Sequence, residues 1–439
     1  MKNVCKKIVG LSFFCALWGC FLAACSTVVD VDGDAVLSPD TNRTIVHRLY
    51  PNDKAKNDSS AANLARGIKL VVHPGVSYSL SFDIDSTQPP PELQLFRTFG
   101  LDHDVDRLGF SKVRTLSPEI VGNRYVYKFN CEEEKMSIWL TSLGVNGRYY
   151  EGKVKNIYFE GVGSYSDHFS INLVVVGSME RTLDGMDVEE LSRYMLKLFR
   201  EKYYGVTIDT LYLSYAHNHP VNGQKYLANR PWVAGFDSED YFVSDVAGWP
   251  EDGLRNALNI VLVHSIVDND IMGLSNLFSG NMGMAGGAVV IGEHVRNSSG
   301  EIQVLSSKNI ASTAIHETGH FFGLRHTSTT WRDLNQVYEN GKDTVFWGDL
   351  SNVEDGLTDT PFCPVVLKNT LYRRASVPEN FRSDIYYRKK VNYLAKSGFD
   401  ACPDRENIMF PVTIDEDDKV SFTKQQMDLV RSSLMIFPH

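Results

Sequence analysis

The sequence predicts an α+β protein: a small all-β sandwich, then a larger domain built from a twisted mixed sheet, a backing helix and a second, chemistry-bearing helix. Three observations lead there. From about Ile68 to Gly163, short apolar and β-branched runs alternate with turn residues and show no helical period. From Phe169 onward the pattern changes to strand and helix in alternation. Within that second part His316 and His320 stand four residues apart in a helix-forming stretch that stops at Gly323. At 439 residues, with 43% hydrophobic and 22% charged, the chain is long enough for two cores.

The N-terminus departs from this globular composition. Lys2, Lys6 and Lys7 precede an apolar run, Ile8 to Ala24, which is short for a membrane span and has the form of a signal peptide. It closes on Leu22-Ala23-Ala24-Cys25, which resembles the lipobox of bacterial lipoproteins, cleaved just before the cysteine. That resemblance implies a signal peptide over residues 1–24, lipid on Cys25, and membrane attachment in a bacterial cell envelope. Ser26 after the cysteine favours the outer membrane, with the occupied face left open. More than one acyl chain would be needed for stable anchoring. Loss of residues 1–24 removes three lysines and no acid, taking the formal charge from −10 to −13. A net-acid chain without a basic cluster argues against nucleic acid as partner, and against a polybasic patch as the membrane contact. Residues 25–65, rich in Asp, Asn, Ser and Thr, read as a tether.

Residues 66–165 carry the sandwich. Ile68–Val72, Tyr78–Phe82, Tyr125–Phe129 and Ile157–Phe159 read as strands, with Pro89-Pro90-Pro91 as a rigid loop. Residues 169–439 form the second domain. Ser170–Val176, Ile208–Tyr215, Leu258–Ile266 and Ala288–Ile291 are its strands. Val188–Tyr203 is a helix by the spacing of Val188, Leu191, Leu196 and Phe199, and another begins near Asn309.

That last helix holds His316-Glu317-Thr318-Gly319-His320-Phe321-Phe322-Gly323-Leu324-Arg325-His326. On a helix His316 and His320 share a face, so both imidazoles can reach one zinc ion at about 2.0–2.1 Å. Glu317 lies beside the ion, placed to hold a water rather than the metal. Gly323 can take the left-handed conformation that ends a helix, which returns His326 toward the same ion. Three histidines leave a fourth position for water, the arrangement of a catalytic zinc. The whole string resembles the long zinc signature of the metzincin metalloproteases.

The metzincin resemblance covers roughly Phe169 to His439 and implies more. Met409, in Asn407-Ile408-Met409-Phe410-Pro411, takes the place of the methionine that packs beneath the three histidines without binding metal. Asp355-Gly356-Leu357-Thr358-Asp359-Thr360-Pro361 looks like the Asp-Thr-Pro segment of the pappalysin branch, which is cross-linked nearby by disulfides. The mature chain keeps Cys131, Cys363 and Cys402, an odd count implying one bridge and one spare thiol. With the resemblance, the expected pair is Cys363 and Cys402. Pappalysin-like enzymes also bind calcium, and Asp349, Asp355 and Asp359 are the oxygen ligands on offer, against a reading as solvated acids. Where some metzincins carry a tyrosine two residues past the methionine, this chain has Pro411. Cys131 in its acidic setting reads as a structural thiol rather than an inhibitory zinc ligand. His217 and His219 read as loop residues rather than a metal pair.

The expectation is an exported, lipid-anchored zinc endopeptidase with Glu317 as general base and a peptide or protein as substrate. Ala288, Val289 and Val290 are expected to form the edge strand on which an extended substrate pairs. Pro411 and Val412 are expected to wall the pocket beyond the cut. The competing readings are a surface binding lipoprotein with a degenerate zinc domain, and a gluzincin peptidase with a later Glu as third ligand.

Overall fold

The computed structural model describes residues 43–45, 69–84, 89–99, 109–134, 137–146, 148–149, 154–161, 166–234, 257–266, 271–275, 282, 288–296, 301–328, 355, 357–361, 402–411, 420–436 and 439. All belong to one compact unit within Leu37–His439. The signal, lipobox and nearly all of the tether therefore lie outside the described residues, as do Asp349, Cys363 and Val412. No described helix is long and apolar enough to cross a membrane.

The first part of the chain is two antiparallel sheets. One orders Arg43–Ile45 (β1), Val154–Gly161 (β10), Ser77–Ile84 (β3), Arg124–Asn130 (β7) and Glu119–Val121 (β6). The other orders Lys69–Val72 (β2), Ser137–Val145 (β8), Glu92–Phe99 (β4) and Gly109–Leu116 (β5), with Arg148–Tyr149 (β9) paired to β8. Alternation sets which side chains face inward: in β7, Tyr125, Tyr127 and Phe129 are buried while Lys128 and Asn130 are exposed. Both sheets contribute to one core, with Leu80, Phe82 and Tyr127 from the first and Val72, Leu93 and Trp139 from the second. The Tyr127 hydroxyl, fully buried, donates to the Pro91 carbonyl at 2.6 Å, so the proline run has a fixed partner.

The second part centres on a mixed sheet of five strands: Thr207–Tyr215 (β12), His168–Val175 (β11), Ala257–Val263 (β14), Ala288–Gly292 (β17) and Gly273–Ser275 (β16). The first four run parallel, and β16 runs antiparallel along β17. Val188–Lys202 (α1) makes the crossover between β11 and β12. It starts at a capping box in which Asp187 and Glu190 satisfy each other's amides, and it buries Leu191, Met195 and Phe199. One sheet face, through Phe169, Ile171, Leu173, Leu258, Ile260 and Ile291, packs against that helix and the metal helix. The other, through Val174, Val261, Val263 and Val290, packs on Tyr226 and Ile266. Burial on both faces is why β14 is a continuous apolar run, interrupted only by Asn259. Asn259 is satisfied laterally: Asn172 donates to it at 2.9 Å, and Ser214 donates to Asn172 at 2.9 Å, tying three strands together.

Two short pairs complete the sheets: Val233–Ala234 (β13) with Ser265–Ile266 (β15), and His294–Arg296 (β18) with Ile302–Val304 (β19). The expected strand Leu258–Ile266 is thus two strands, broken at His264, because residues beyond Val263 leave the main sheet to pair with β13. Ser307–Phe321 (α2) is the metal helix and Lys424–Ile436 (α3) the last element.

The expected edge strand needs correction. Ala288, Val289 and Val290 lie in β17, which is interior: β14 pairs on one side and β16 on the other. Among the described residues the outermost strand on that side is β16, whose Gly273, Leu274 and Ser275 lie opposite Ile291, Val290 and Val289. Three residues reading Gly-Leu-Ser carry no alternation from which a strand could be read.

Candidate metal centre

The metal helix is anchored at its start. Ser306 caps it by accepting from the Asn309 amide, and the Asp184 carboxylate accepts from the Ser307 amide at 2.8 Å and from its hydroxyl. Burial pushes the Asp184 carboxyl up, but the Ser307 bonds prevail and hold it below the usual range, an anion suited to a helix N-terminus. The helix end is a Schellman turn. Gly323 has φ +93°, its amide reaches the His320 carbonyl, and the Leu324 amide reaches the Gly319 carbonyl.

That turn delivers the third imidazole. The Nε2 atom of His326 lies 3.3 Å from Nε2 of His316 and 3.2 Å from Nε2 of His320. Three nitrogens about 2.0–2.1 Å from one ion in tetrahedral array would stand about 3.3 Å apart, so this donor set fits zinc. Backbone carbonyls fix the tautomers of two of the rings. His316 Nδ1 donates to the Ile408 carbonyl at 2.7 Å, and His320 Nδ1 donates to the Leu324 carbonyl at 2.8 Å. Each Nε2 therefore presents its lone pair to the shared point.

Glu317 is 9% exposed, and burial pushes its carboxyl up to about 7 against a downward pull from His326. It lies against the edge strand: a Cβ on Gly273 would come within 2.7 Å of Glu317 Cγ and 2.5 Å of Thr313 Cγ2. Glycine is needed at that point of β16 for the acid to fit. Behind the helix, the buried Tyr203 hydroxyl donates to the Ile315 carbonyl at 2.8 Å. Burial, then the nearby Glu317, holds that phenol neutral by raising its pKa well above the ordinary value.

Met409 lies beneath the ligands. It is fully buried, and a Cβ on Gly319 would meet its Sδ at 2.6 Å. Its turn is built by Asn407, whose role no local pattern announces. Asn407 Oδ1 accepts from the Met409 amide at 2.8 Å, while its side-chain nitrogen donates to Gln426 at 2.9 Å. The Met409 carbonyl accepts from the Thr327 amide, one residue past the third histidine. Asp404 adds a second tie, accepting from Ser328 at 2.6 Å.

Pro411 is half-buried directly after Phe410. Asp359 gives both carboxylate oxygens to the start of α3, accepting from the Thr423 hydroxyl and the Gln425 amide. Asp355 accepts from the Leu357 amide. These bonds make the Asp-Thr-Pro segment a cap for α3 and lend calcium no support. His219 accepts from two nearby amides in its loop. Cys131 is a free thiol buried in the first core, where burial pushes its pKa up. Cys402 is buried. Among the described residues, the groups close enough to share a metal are His316–His320–His326 and His264–Glu293–His294. In the second, His294 Nδ1 faces the His264 backbone carbonyl at 3.1 Å and so offers no lone pair.

Residues 236–327 match the model of the reprolysin-like metallopeptidase family M12B. This stretch ends on the three histidines and Glu317, and it supports a metallopeptidase domain here. No curated protein matches the chain. Among solved structures, similarity is reported to the CBM22–GH10 modules of a Clostridium thermocellum xylanase with xylohexaose (12% identity, 40% of this chain and 34% of that one, TM-score 0.16). A second is the M60 catalytic domain of Clostridium perfringens ZmpC with the sialyl T antigen (13% identity, 63% of this chain and 52% of that one, TM-score 0.15). A third is an acetyl xylan esterase from Butyrivibrio proteoclasticus (11% identity, 75% and 90%, TM-score 0.11). The chain thus spans 34% and 52% of the first two, and none of these TM-scores carries a statement about its fold.

Gly319→Ala should test the packing beneath the ligands. The added methyl overlaps Met409 Sδ and should cost about 1–3 kcal/mol in denaturant unfolding. A midpoint equal to wild type would show that Met409 is not held against the helix.

Proposed function

We propose that this chain is an exported, lipid-anchored zinc endopeptidase of the metzincin type, resembling the pappalysin branch. The observation that carries it is the convergence of the Nε2 atoms of His316, His320 and His326, with Glu317 buried beside them. Zinc bound there would polarise the scissile carbonyl and make a water acidic enough to attack near neutral pH. The chain's own part is positioning and proton transfer. An extended peptide would pair with the edge strand β16, which brings its backbone past Glu317 at Gly273. Glu317 takes the proton from the attacking water and returns it to the leaving amine. Its buried setting keeps bulk water from competing and brings its proton affinity near that task. Pro411 offers no hydroxyl to the developing oxyanion, so that role is vacant at this position or filled from elsewhere.

In this proposal residues 1–24 are the signal peptide, Cys25 carries lipid, and 25–65 are the tether. Residues 66–165 form an all-β sandwich domain and 169–439 the catalytic domain, held at a bacterial cell envelope. Cys363 is the partner of Cys402, bracing the segment that leads into the Met409 turn.

Three experiments test these parts. Glu317→Ala should keep wild-type zinc content while peptide cleavage falls by about 10²–10⁴. His326→Ala should release zinc from this centre and lose activity with it. Cleavage by Glu317→Ala at the wild-type rate, or undiminished zinc in His326→Ala, would refute the assignment. Expressed in a bacterial host, the full chain should incorporate labelled fatty acid, and Cys25→Ala should not. Labelling that survives the substitution moves the anchor elsewhere. Non-reducing peptide mapping should recover a Cys363–Cys402 peptide pair; a Cys131 cross-link would show the pairing wrong.

A further inference from the structure

The carbonyl of Ile408 and the amide of Met409 belong to one peptide group, and each end of it is engaged. The carbonyl accepts from His316 Nδ1 at 2.7 Å, while the amide donates to Asn407 Oδ1 at 2.8 Å. A trans peptide is planar, with N–H and C=O pointing opposite ways, so whatever holds one end aims the other. The direction of the carbonyl that orients His316 therefore depends on the Asn407 side chain.

Asn407 needs its own orientation fixed, because an amide turned end over end would set NH₂ against the Met409 N–H. Gln426, fully buried in the first turn of α3, supplies that. Its Oε1 accepts from the Thr423 amide and from Asn407 Nδ2, both at 2.9 Å, and its Nε2 donates to Asn407 Oδ1 at 3.2 Å. Thr423 and Gln426 also form a capping box, since the Gln426 amide donates to the Thr423 hydroxyl at 3.3 Å. A capping glutamine needs only its oxygen for that purpose. The bonds to Asn407 are additional, and burying two amides is costly unless such bonds satisfy them.

We propose that Gln426 is a positioning residue for the metal centre. Through Asn407 it locks the peptide between Ile408 and Met409, so that the Ile408 carbonyl keeps the His316 proton on Nδ1 and turns the Nε2 lone pair to the shared point. The proposal rests on the reading of the three histidines as a zinc site. Its effect is confined to one ligand, because His320 takes its orientation from the Leu324 carbonyl within its own turn. Hydrogen bonds in series polarise one another, so the chain from Thr423 to His316 also makes that imidazole a better metal ligand.

Zinc affinity would be measured by chelator competition on the wild type, Gln426→Met, Asn407→Leu and the double variant. Methionine and leucine keep roughly the volume they replace and remove the bonds. Each single variant should bind zinc about 10–100-fold more weakly. The double should be no weaker than the weaker single, because both cut one chain. Thr423→Ala keeps the backbone N–H and breaks the cap, so it should lower the melting temperature and leave zinc affinity unchanged. Cobalt-loaded protein gives a readout that loss of packing alone does not move: the ring N–H protons of the ligand histidines appear as paramagnetically shifted signals that vanish in D₂O. In Gln426→Met one of these should broaden into exchange with water while the others keep their wild-type widths. If the variants fail to fold, hydrogen exchange in zinc-loaded wild type decides, since the Met409 amide should be protected and exchange at the free-peptide rate overturns the proposal. Wild-type affinity in Gln426→Met, additive losses in the double variant, or an equal loss in Thr423→Ala also overturn it. A wild type that binds no zinc sinks the zinc reading and this proposal together; a zinc-binding wild type matched by Gln426→Met sinks this proposal alone.

Discussion

Three imidazoles must meet at one point with their lone pairs inward, and much of the second part of the fold follows from what that requires. Helical spacing brings His316 and His320 to one face, but a helix that continued would carry residue 326 away from them. The turn at Gly323 reverses the chain, and it costs little because glycine takes φ +93° without a Cβ to clash. Ring orientation is the second requirement. A neutral imidazole can present either nitrogen, and the wrong tautomer would put a proton where the ion must sit. The Ile408 and Leu324 carbonyls settle this for two of the rings. Of these, Leu324 is local, whereas Ile408 must be brought from 92 residues away.

That difference in range separates what the sequence discloses from what it hides. The histidines, Glu317 and Gly323 lie within eleven residues, and their spacing translates into geometry through the helix alone. The helix α1 is equally plain from the spacing of Val188, Leu191, Leu196 and Phe199, although its buried face takes Met195 in place of Leu196. What stays hidden is set by partners distant in the chain. Asn407 is an ordinary polar residue until Gln426 and the Met409 amide are placed around it. Gly273 gives no sign of being an edge-strand position, since only the approach of Thr313 and Glu317 shows why a side chain is excluded. The choice of β17 as the edge failed for the same reason: its apolar run reads as a strand, but pairing order is not written in a single segment. In the first part, Glu92–Phe99 and Ser137–Val145 supply Leu93, Leu95 and Trp139 to the core, yet neither segment announces itself as a strand in isolation.

Burial of Glu317 shows how the same packing that builds the site also tunes it. The acid lies between the metal helix and β16, with Tyr203 and its neighbours closing the other side of the helix. Desolvation works against its charge, and His326 works in the opposite direction. A polar surface position would leave the carboxylate a weaker base, because burial is what raises its proton affinity. That burial arises because residue 317 turns from the ligand face toward the sheet edge, where a glycine leaves just enough room.

The last helix extends these constraints to the rest of the molecule. Its start is held by Asp359 and Thr423, and Gln426 reaches from its first turn to Asn407 beneath the metal centre. Its middle, Leu429, Val430 and Leu434, lies in the core that also holds Met409 and the metal helix. Its end, Ile436, is buried in the core of the N-terminal sheets, beside Gly161 of β10. Thirteen residues of helix, about 20 Å long, therefore run from the turn under the ligands to the first pair of sheets. A buried Gln426 cannot shift without breaking its bonds to Asn407, and Ile436 cannot shift without opening a cavity between the sheets. The N-terminal sheets are in this way structurally continuous with the metal centre, since the helix that orders the Met409 turn ends inside them.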